Sequence, residues 1–314
     1  MENNHIQYIS NSDVTVGISA KIGGTIVFVS KANSENILKS DSTLWNPDLR
    51  PDITENSDFI PYNGHTVWLG PQSEWWTKQN LNELRKNEKA VWPPDPFITM
   101  GEYSIISQNE WSIKLLSPES PISGIYMEKE IAVNPDGSIF VQVSIINSST
   151  ENVSWDIWFN TRLSGWNKVY VPALEENCKI VPVLHNSSEE MPYEITNGYF
   201  TYLPVAPNAN KNERSSKAFI YPELPIMHAF TKNHVISISF VKHDVSEIHT
   251  EQGHVEIYNH TEHNAENALL EMEYHSPYTT LAPGQNLQAW EVWTIEEHNN
   301  ITNTLEQIEF LNNL

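Results

Sequence analysis

The sequence predicts one all-β domain whose antiparallel strands form a large sandwich. Asp136-Gly137 joins two segments of alternating apolar and polar residues, which is a strong hairpin signal. Similar segments recur without helices between them, a pattern typical of a sandwich and not of a parallel α/β fold. A chain of 314 residues can bury enough surface to fold without a disulfide or a structural metal. We assign residues 1–300 to this domain.

The N-terminal part begins with a predicted hairpin. Residues 14–20 (VTVGISA) and 25–30 (TIVFVS) alternate in the manner of strands and flank a Gly-Gly turn. Further along, residues 77–90 carry Leu81 and Leu84 on an otherwise polar segment, which predicts a helix with a narrow apolar stripe. The proline-rich patches that follow are typical of loops.

The middle and the C-terminal third add most of the predicted strands. Three strands are expected within residues 126–163, and an antiparallel run follows in residues 235–243, 254–260, 268–274 and 287–295. The chain contains no internal repeat and no segment long enough to be a linker. One β domain therefore accounts for all of these strands.

Residues 301–314 predict a short helix that packs on the outside of the domain. Leu305, Ile308 and Leu311 follow one another at three-residue steps, which gives a small apolar face. An asparagine and a threonine precede this face, and either can cap the helix.

Composition limits the classes of partner. The chain has 18 basic and 40 acidic residues and a formal net charge of −22, so it should repel nucleic acid and favour uncharged ligands. No signal peptide and no apolar segment of membrane-spanning length is visible. The single cysteine, Cys178, excludes an internal disulfide, and we expect a cytoplasmic protein without membrane contact.

Tryptophan is unusually frequent, with 11 residues in the chain. Indole rings offer flat faces that can stack on the C–H side of a sugar ring. The alternative is that they fill a large β core, since aromatic side chains bury much apolar area.

Two glutamates near the C-terminus are the first candidate site. Because successive side chains of a strand point to opposite faces, Glu271 and Glu273 share one face, while Leu270 and Met272 share the other. Neighbouring carboxylates raise the pKa of one of them, which suits general acid/base chemistry or binding of hydroxyl groups. The alternative is a pair of solvated surface glutamates.

A second candidate is the strand over residues 155–162. Alternation places Asp156, Trp158, Asn160 and Arg162 on one face, which combines an acid, an indole, an amide and a guanidinium along one line. This combination is suited to a polyol. The alternative is a solvated outer face.

Two loops supply further candidates. His65 lies beside a glycine and is followed by Trp68 and Gln72, so its imidazole could point into a cleft. Among 12 histidines, most are expected to be structural. In the segment WPPDP the prolines fix Trp92 and Asp95 relative to each other, which favours either a pocket rim or a stiff surface crossover.

Metal and nucleophile motifs are not found. Four histidines between residues 249 and 263 lack cysteine partners and the spacing of a structural zinc site. The chain has no Gly-x-Ser-x-Gly turn and no glycine-rich phosphate loop. We therefore expect neither a metal nor another cofactor.

Together these segments resemble the galactose mutarotase (aldose 1-epimerase) superfamily, and in particular a bacterial branch with GGRI-like, HGGHRLW-like, WPPDP and LAPG motifs. The likeness covers about residues 14 to 295. The corresponding segments are residues 23–26 (GGTI), 63–68 (NGHTVW), 92–96 (WPPDP) and 281–284 (LAPG).

The resemblance implies an antiparallel β-supersandwich with a sugar-binding cleft across its concave sheet. Glu271 and Glu273 match the Glu-x-Gln strand that supplies the family's general base, and His65 matches its substrate-binding histidine. Asp156 stands where the family has its general-acid histidine. Either Asp156 or another histidine, such as His228, would have to replace that acid.

Two functions remain open from the sequence. The first is acid/base epimerisation or mutarotation of a neutral sugar, with Glu271, Glu273 and His65 as catalytic residues. The second is a non-catalytic domain that binds or senses a sugar, and a glycoside hydrolase or lyase is a more distant third. The expected substrate-binding residues are Trp68, Gln72, Trp92, Asp95, Asp156, Trp158, Asn160, Arg162 and His228.

Overall fold

Strands form most of the regular structure in residues 5–32, 34–181 and 191–314, which the computed structural model describes. Twenty strands and three α-helices lie within this part of the chain. The strands are β1 Gln7–Ser10, β2 Val14–Ser19, β3 Thr25–Lys31, β4 His65–Gly70, β5 Ser104–Gln108, β6 Ser112–Leu116, β7 Ile125–Val133, β8 Ile139–Asn147, β9 Val153–Ser164, β10 Lys168–Pro172, β11 Cys178–Val181, β12 Tyr193–Thr196, β13 Tyr199–Tyr202, β14 Glu213–Ile220, β15 Ile226–Phe230, β16 His234–Phe240, β17 Val255–Glu262, β18 Leu269–His275, β19 Thr279–Leu281 and β20 Asn286–Glu297. The helices are α1 Glu83–Asn87, α2 Pro96–Thr99 and α3 Thr304–Leu311.

The strands form two sheets that pack face to face. Sheet 1 has the order β1-β2-β3-β4-β9-β18-β17-β14-β11, and β19 pairs with β9 beside this path. Sheet 2 has the order β12-β13-β10-β15-β16-β20-β8-β7-β6-β5. The paired strands within both sheets are antiparallel, so the predicted all-β, antiparallel sandwich is confirmed.

Alternation along the strands separates the core from the outer faces. In β18, Leu270 and Met272 point between the sheets and are fully buried in the main core. In β7, alternate residues from Ile125 to Val133 are buried against the same core. A period of two thus gives each strand one apolar face for the sandwich interior.

Both predicted hairpins are confirmed. β2 pairs with β3, and β7 pairs with β8 around the Asp136-Gly137 turn. The Asp136 carboxylate accepts a hydrogen bond of 3.0 Å from the Ser138 N–H, and Gly137 has a φ of +85°. That left-handed conformation explains why glycine is needed at this turn.

The predicted helix over residues 77–90 is largely wrong. Only Glu83–Asn87 is helical, and Leu81 and Leu84 are exposed. The Gln79 side chain accepts hydrogen bonds from two following backbone N–H groups, at 2.6 and 2.7 Å, and this holds the preceding segment in a loop. A local side-chain contact thus replaces helical hydrogen bonds.

The predicted C-terminal helix is confirmed as α3. The Asn303 side chain caps it by accepting hydrogen bonds from the backbone N–H groups of Leu305 and Glu306. Ile308 and Leu311 are buried against Tyr170 and the rest of a small cluster on sheet 2, whereas Leu305 is exposed. The division into a domain and a C-terminal tail stays a prediction.

Membrane-spanning helices do not occur among the described residues, because none of the helices there combines the necessary length with the necessary hydropathy.

A buried polar group lies between the sheets. Glu291 on β20 is fully buried and accepts a hydrogen bond of 3.0 Å from the indole N–H of Trp293. The Nδ1 atom of His65 lies 4.0 Å from the same carboxylate and 2.9 Å from the Thr161 hydroxyl. Burial raises the pKa of Glu291 to about 8 and lowers the pKa of His65, so both groups are neutral near pH 7.

We predict that Glu291→Gln removes a pH-dependent loss of stability. The unfolded chain ionises Glu291 near pH 4.5 but the folded protein only near pH 8, so the wild type loses free energy of unfolding as pH rises between these values. The variant should gain roughly 3–5 kcal/mol relative to wild type between pH 5 and pH 9. Urea unfolding of both proteins across this range measures the difference. A difference independent of pH would contradict the buried, neutral carboxyl.

Candidate functional site

A cleft of about 780 Å³ lies on the outer face of sheet 1. Six adjacent strands contribute side chains to it: β4, β9, β18, β17, β14 and β11. Loop residues within 59–63, 72–73, 91–92 and 251–252 complete its walls. Its size is that of a typical small-molecule site.

The cleft floor consists of two rows of directly opposed residues that cross the strands. Along the first row the paired residues are Arg162, Glu271, Tyr258, Lys217 and Val181. Along the second row they are Asn160, Glu273, Glu256 and Phe219. Side chains two positions apart on a strand share a face, so the register of the sheet brings all of these groups to one surface.

Arg162 and Glu271 form a buried ion pair in the first row. Nε of Arg162 donates to Oε1 of Glu271 at 2.7 Å, and a terminal nitrogen donates to the Thr66 hydroxyl at 2.7 Å. The guanidinium also lies 5.0 Å from the ring centre of Trp68. The Glu271 side chain keeps 11% of its surface exposed against 2% for Arg162, so its carboxylate is the more accessible partner.

Lys217 joins the two rows. Its ammonium pairs with Glu256 and lies 3.2 Å from Oε2 of Glu273. Burial opposes the charge on Lys217, but the two carboxylates outweigh it and raise its pKa. Burial likewise opposes ionisation of Glu256, but Lys217 and His275 lower its pKa to about 2, whereas burial raises the pKa of Glu273.

His275 lies on the same face of β18 as Glu271 and Glu273, opposite Trp158, and extends this network. Its Nδ1 is 3.1 Å from Oδ1 of Asp156, and its Nε2 is 3.4 Å from Oε1 of Glu256. Burial alone would lower the pKa of His275, but Glu256 and Asp156 raise it to about 9. The imidazole ring packs 4.8 Å from Trp158. A charged imidazolium between two carboxylates therefore fixes the floor at the side next to Glu273.

An aromatic wall closes one end of the cleft. The ring centres of Trp68 and Trp158 are 5.1 Å apart, those of Trp68 and Trp92 are 5.9 Å apart, and those of Phe59 and Trp92 are 5.0 Å apart. Trp68 and Trp158 are almost fully buried, but Trp92 is 48% exposed. The tryptophans thus both fill space and supply a wall, and Trp92 alone among these rings offers a large free face.

Seven of the sequence candidates line the cleft together: Trp68, Gln72, Trp92, Trp158, Arg162, Glu271 and Glu273. Asp156 and Asn160 lie on the same face but are fully buried. Asp156 contacts His275, and Asn160 donates to Glu273 at 3.3 Å. Both therefore hold other residues of the network in place and do not line the cleft themselves.

Three sequence candidates lie elsewhere. His65 points between the sheets, because it lies three residues before the cleft-lining Trp68 on β4 and therefore on the opposite face of the strand. Asp95 caps α2 and accepts hydrogen bonds from Ser120 and, at 2.7 Å, from Ser123. His228 belongs to β15 in sheet 2, 2.7 Å from the Ser237 hydroxyl, and burial lowers its pKa to about 4. Placing these three in the cleft was therefore incorrect.

Sequence reasoning missed four residues of the network. His275 follows Glu271 and Glu273 at the same spacing of two, so the alternation already applied to the glutamates could have found it. The same rule places Glu256 and Tyr258 on one face of β17. Lys217 had no comparable signal, because a single lysine on a strand is usually solvated.

One buried set has atoms close enough for a metal ion. The ligand atoms of Glu256, Glu273 and His275 lie within 4.8 Å of one another. Lys217 already lies against both carboxylates and supplies positive charge there. In the described part of the cleft, the ammonium of Lys217 therefore supplies the positive charge that a metal ion would bring to these carboxylates.

Comparison with known proteins identifies a family and a fold. The family model of DUF4380, a domain of unknown function, matches residues 5–296. No curated protein sequence is detectably similar to the chain. A galactose mutarotase-like protein from Lactobacillus casei superposes with a TM-score of 0.60 at 11% identity, over 93% of this chain and 100% of that one. A galactose mutarotase related enzyme from Lactobacillus acidophilus gives 0.57 at 13% identity, over 95% and 99%.

These similarities confirm the predicted galactose mutarotase-like β-sandwich. Identities near one residue in eight establish the fold alone.

We predict that Lys217→Met destabilises the protein by about 3 kcal/mol, because it leaves Glu256 and Glu273 buried without their cation. Lys179→Met is the matched control, since Lys179 is exposed on the neighbouring strand β11. Chemical unfolding of both variants near neutral pH measures the loss. Equal stability of the two variants would show that Lys217 is not needed to balance the floor.

We predict that Gly70→Ala disturbs the contact between Asp156 and His275. A Cβ at Gly70 would lie 2.4 Å from Oδ2 of Asp156 and 2.2 Å from Nε2 of Gln252, so one of these side chains must move. We expect a loss of about 1–3 kcal/mol in stability. We also expect a lower pKa of His275 when its ring is followed by NMR during a pH titration. An unchanged His275 titration would contradict this arrangement.

Proposed function

The chain belongs to the DUF4380 family, and we propose that it binds a neutral sugar in the cleft on sheet 1 and interconverts its anomers by acid/base catalysis. One observation carries this proposal. The accessible carboxylate of Glu271 and the ammonium of Lys217 lie in the same row of the cleft floor, on β18 and β14, beside an indole wall.

Binding of a sugar is supported by the chemistry of the lining. Glu271 can accept hydrogen bonds from hydroxyl groups, and Lys217 and Gln72 can donate them. Trp92 presents an exposed ring on which a sugar ring can stack. Because the protein carries a net charge of −22, an uncharged ligand is favoured over nucleic acid or other polyanions.

In the proposed reaction, Glu271 takes the proton of the anomeric hydroxyl while Lys217 gives a proton to the ring oxygen. The bond between the anomeric carbon and the ring oxygen breaks, and the electrons of the former O–H bond form the aldehyde carbonyl. Rotation of the aldehyde group exposes its other face. On ring closure Lys217 takes its proton back from the hydroxyl that attacks the aldehyde, and Glu271 returns its proton to the former aldehyde oxygen, which yields the other anomer.

Different environments would keep the two groups in their roles. Arg162 forms an ion pair with Glu271, the proposed base. Lys217 is kept protonated by Glu256 and Glu273. The cleft therefore combines a proposed base and a proposed acid, each paired with a residue of opposite charge.

A second candidate function is sugar binding without catalysis. It is favoured by the raised pKa of Lys217, because proton transfer from this ammonium costs more than from an ordinary lysine. A cleft floor whose charged side chains are paired and held rigidly would also bind hydroxyl groups well. Under both proposals the protein acts in the cytoplasm on a small carbohydrate.

We predict that Glu271→Gln abolishes anomer exchange. Gln is isosteric with Glu but cannot take up a proton, so the exchange rate should fall by about 10²–10⁴-fold. Binding of neutral mono- and oligosaccharides is measured first by calorimetry. Exchange between anomers of each bound sugar is then measured by NMR saturation transfer.

Glu297→Gln is the matched control, because Glu297 is exposed on β20 in the other sheet. Circular dichroism and unfolding curves establish that the Glu271→Gln protein is folded, since this change removes the partner of Arg162. Binding without faster exchange in the wild type would favour the non-catalytic function. Absence of binding by every sugar would overturn both.

A further inference from the structure

The cleft is longer than one sugar ring. Its lining side chains come from six adjacent strands, from Trp68 on β4 to Val181 on β11. Neighbouring strands lie about 4.8 Å apart, so five spacings give a length of about 24 Å across the sheet. A hexose ring is about as wide as one such spacing. The volume of about 780 Å³ is likewise that of a site for a ligand much larger than one hexose.

The paired charged groups lie on the inner four of these six strands. Arg162 is on β9, Glu271 and Glu273 are on β18, and Lys217 is on β14. On one side the cleft continues to Trp92 and the rest of the aromatic wall. On the other side Val181 on β11 lines the cavity beyond Lys217, and Phe219 borders Lys217 on β14, where its ring centre is 5.9 Å from the ammonium. Apolar surfaces therefore extend from both sides of the polar centre.

The charges of the floor also restrict the ligand. Among the described residues, the two cations that line the cleft are paired with carboxylates, Arg162 with Glu271 and Lys217 with Glu256 and Glu273. A carboxylate or sulfate on the ligand would have to compete with these buried pairs. Hydroxyl groups can join such pairs as donors and acceptors without displacing them.

We propose that the ligand is a neutral oligosaccharide that lies across the strands, with one unit at Glu271 and further units on the apolar surfaces at Trp92 and Phe219. This inference rests on the proposed sugar binding and adds the length and charge of the ligand. Each flanking unit would stack on a ring, which is the usual contact between aromatic side chains and the C–H face of a sugar.

The test measures affinity against chain length. Calorimetry with the full chain compares glucose, galactose and mannose with their neutral oligosaccharides of up to four units, and with matched oligouronates. We expect affinity to rise about tenfold or more from one unit to three or four, and the oligouronates to bind more weakly. Affinity that does not increase with length overturns the inference, although the proposed function then stands. If the oligouronates bind more tightly than the neutral oligosaccharides, the inference that the ligand is uncharged is overturned.

Two variants locate the flanking units. Trp92→Ala and Phe219→Ala should each weaken binding of the tetrasaccharide by about three- to tenfold, and Phe219→Ala should change monosaccharide affinity less than twofold. Trp111→Ala is the matched control, because Trp111 is 55% exposed in a turn of sheet 2. Equal losses for monosaccharide and tetrasaccharide in Phe219→Ala would show that this ring does not form a separate subsite. Absence of binding by every saccharide, in a folded wild type, would instead refute the proposed function itself.

Discussion

The cleft floor depends on mutual neutralisation of buried charges. A charged side chain removed from water is stable only beside an opposite charge, because loss of hydration costs several kcal/mol. Lys217 and His275 together keep Glu256 ionised, and Arg162 forms an ion pair with Glu271. The pKa of Glu273 is raised because burial and neighbouring carboxylates outweigh the effect of Lys217. The floor is therefore close to neutral, which matches an uncharged ligand.

The same alternation of side chains builds both the core and the cleft. On β18, leucine and methionine fill the sandwich interior while the glutamates face outward, and β9 divides its residues in the same way. Because antiparallel pairing sets these outward residues opposite one another, two rows of polar groups form without any loop. The site is consequently as rigid as the sheet that carries it.

The fold and half of the site follow from local patterns. Strand periodicity, the Asp136-Gly137 turn and the pairing of Glu271 with Glu273 can be recognised one segment at a time. The role of Lys217 cannot, because it depends on the register between β14 and β17, which brings this lysine beside glutamates distant in sequence. His65 was misplaced for the converse reason: glycine beside it suggested a loop, but the residue begins a buried strand.

The direction of the two rows has a mechanical consequence. A strand pair resists sliding chiefly through its backbone hydrogen bonds and cross-strand side-chain pairs. An occupant lying along the rows would touch residues from up to six strands and would brace them against shear. Amide protons in the middle of sheet 1 would then exchange with solvent more slowly, as one cooperative unit, although no backbone atom contacts the occupant.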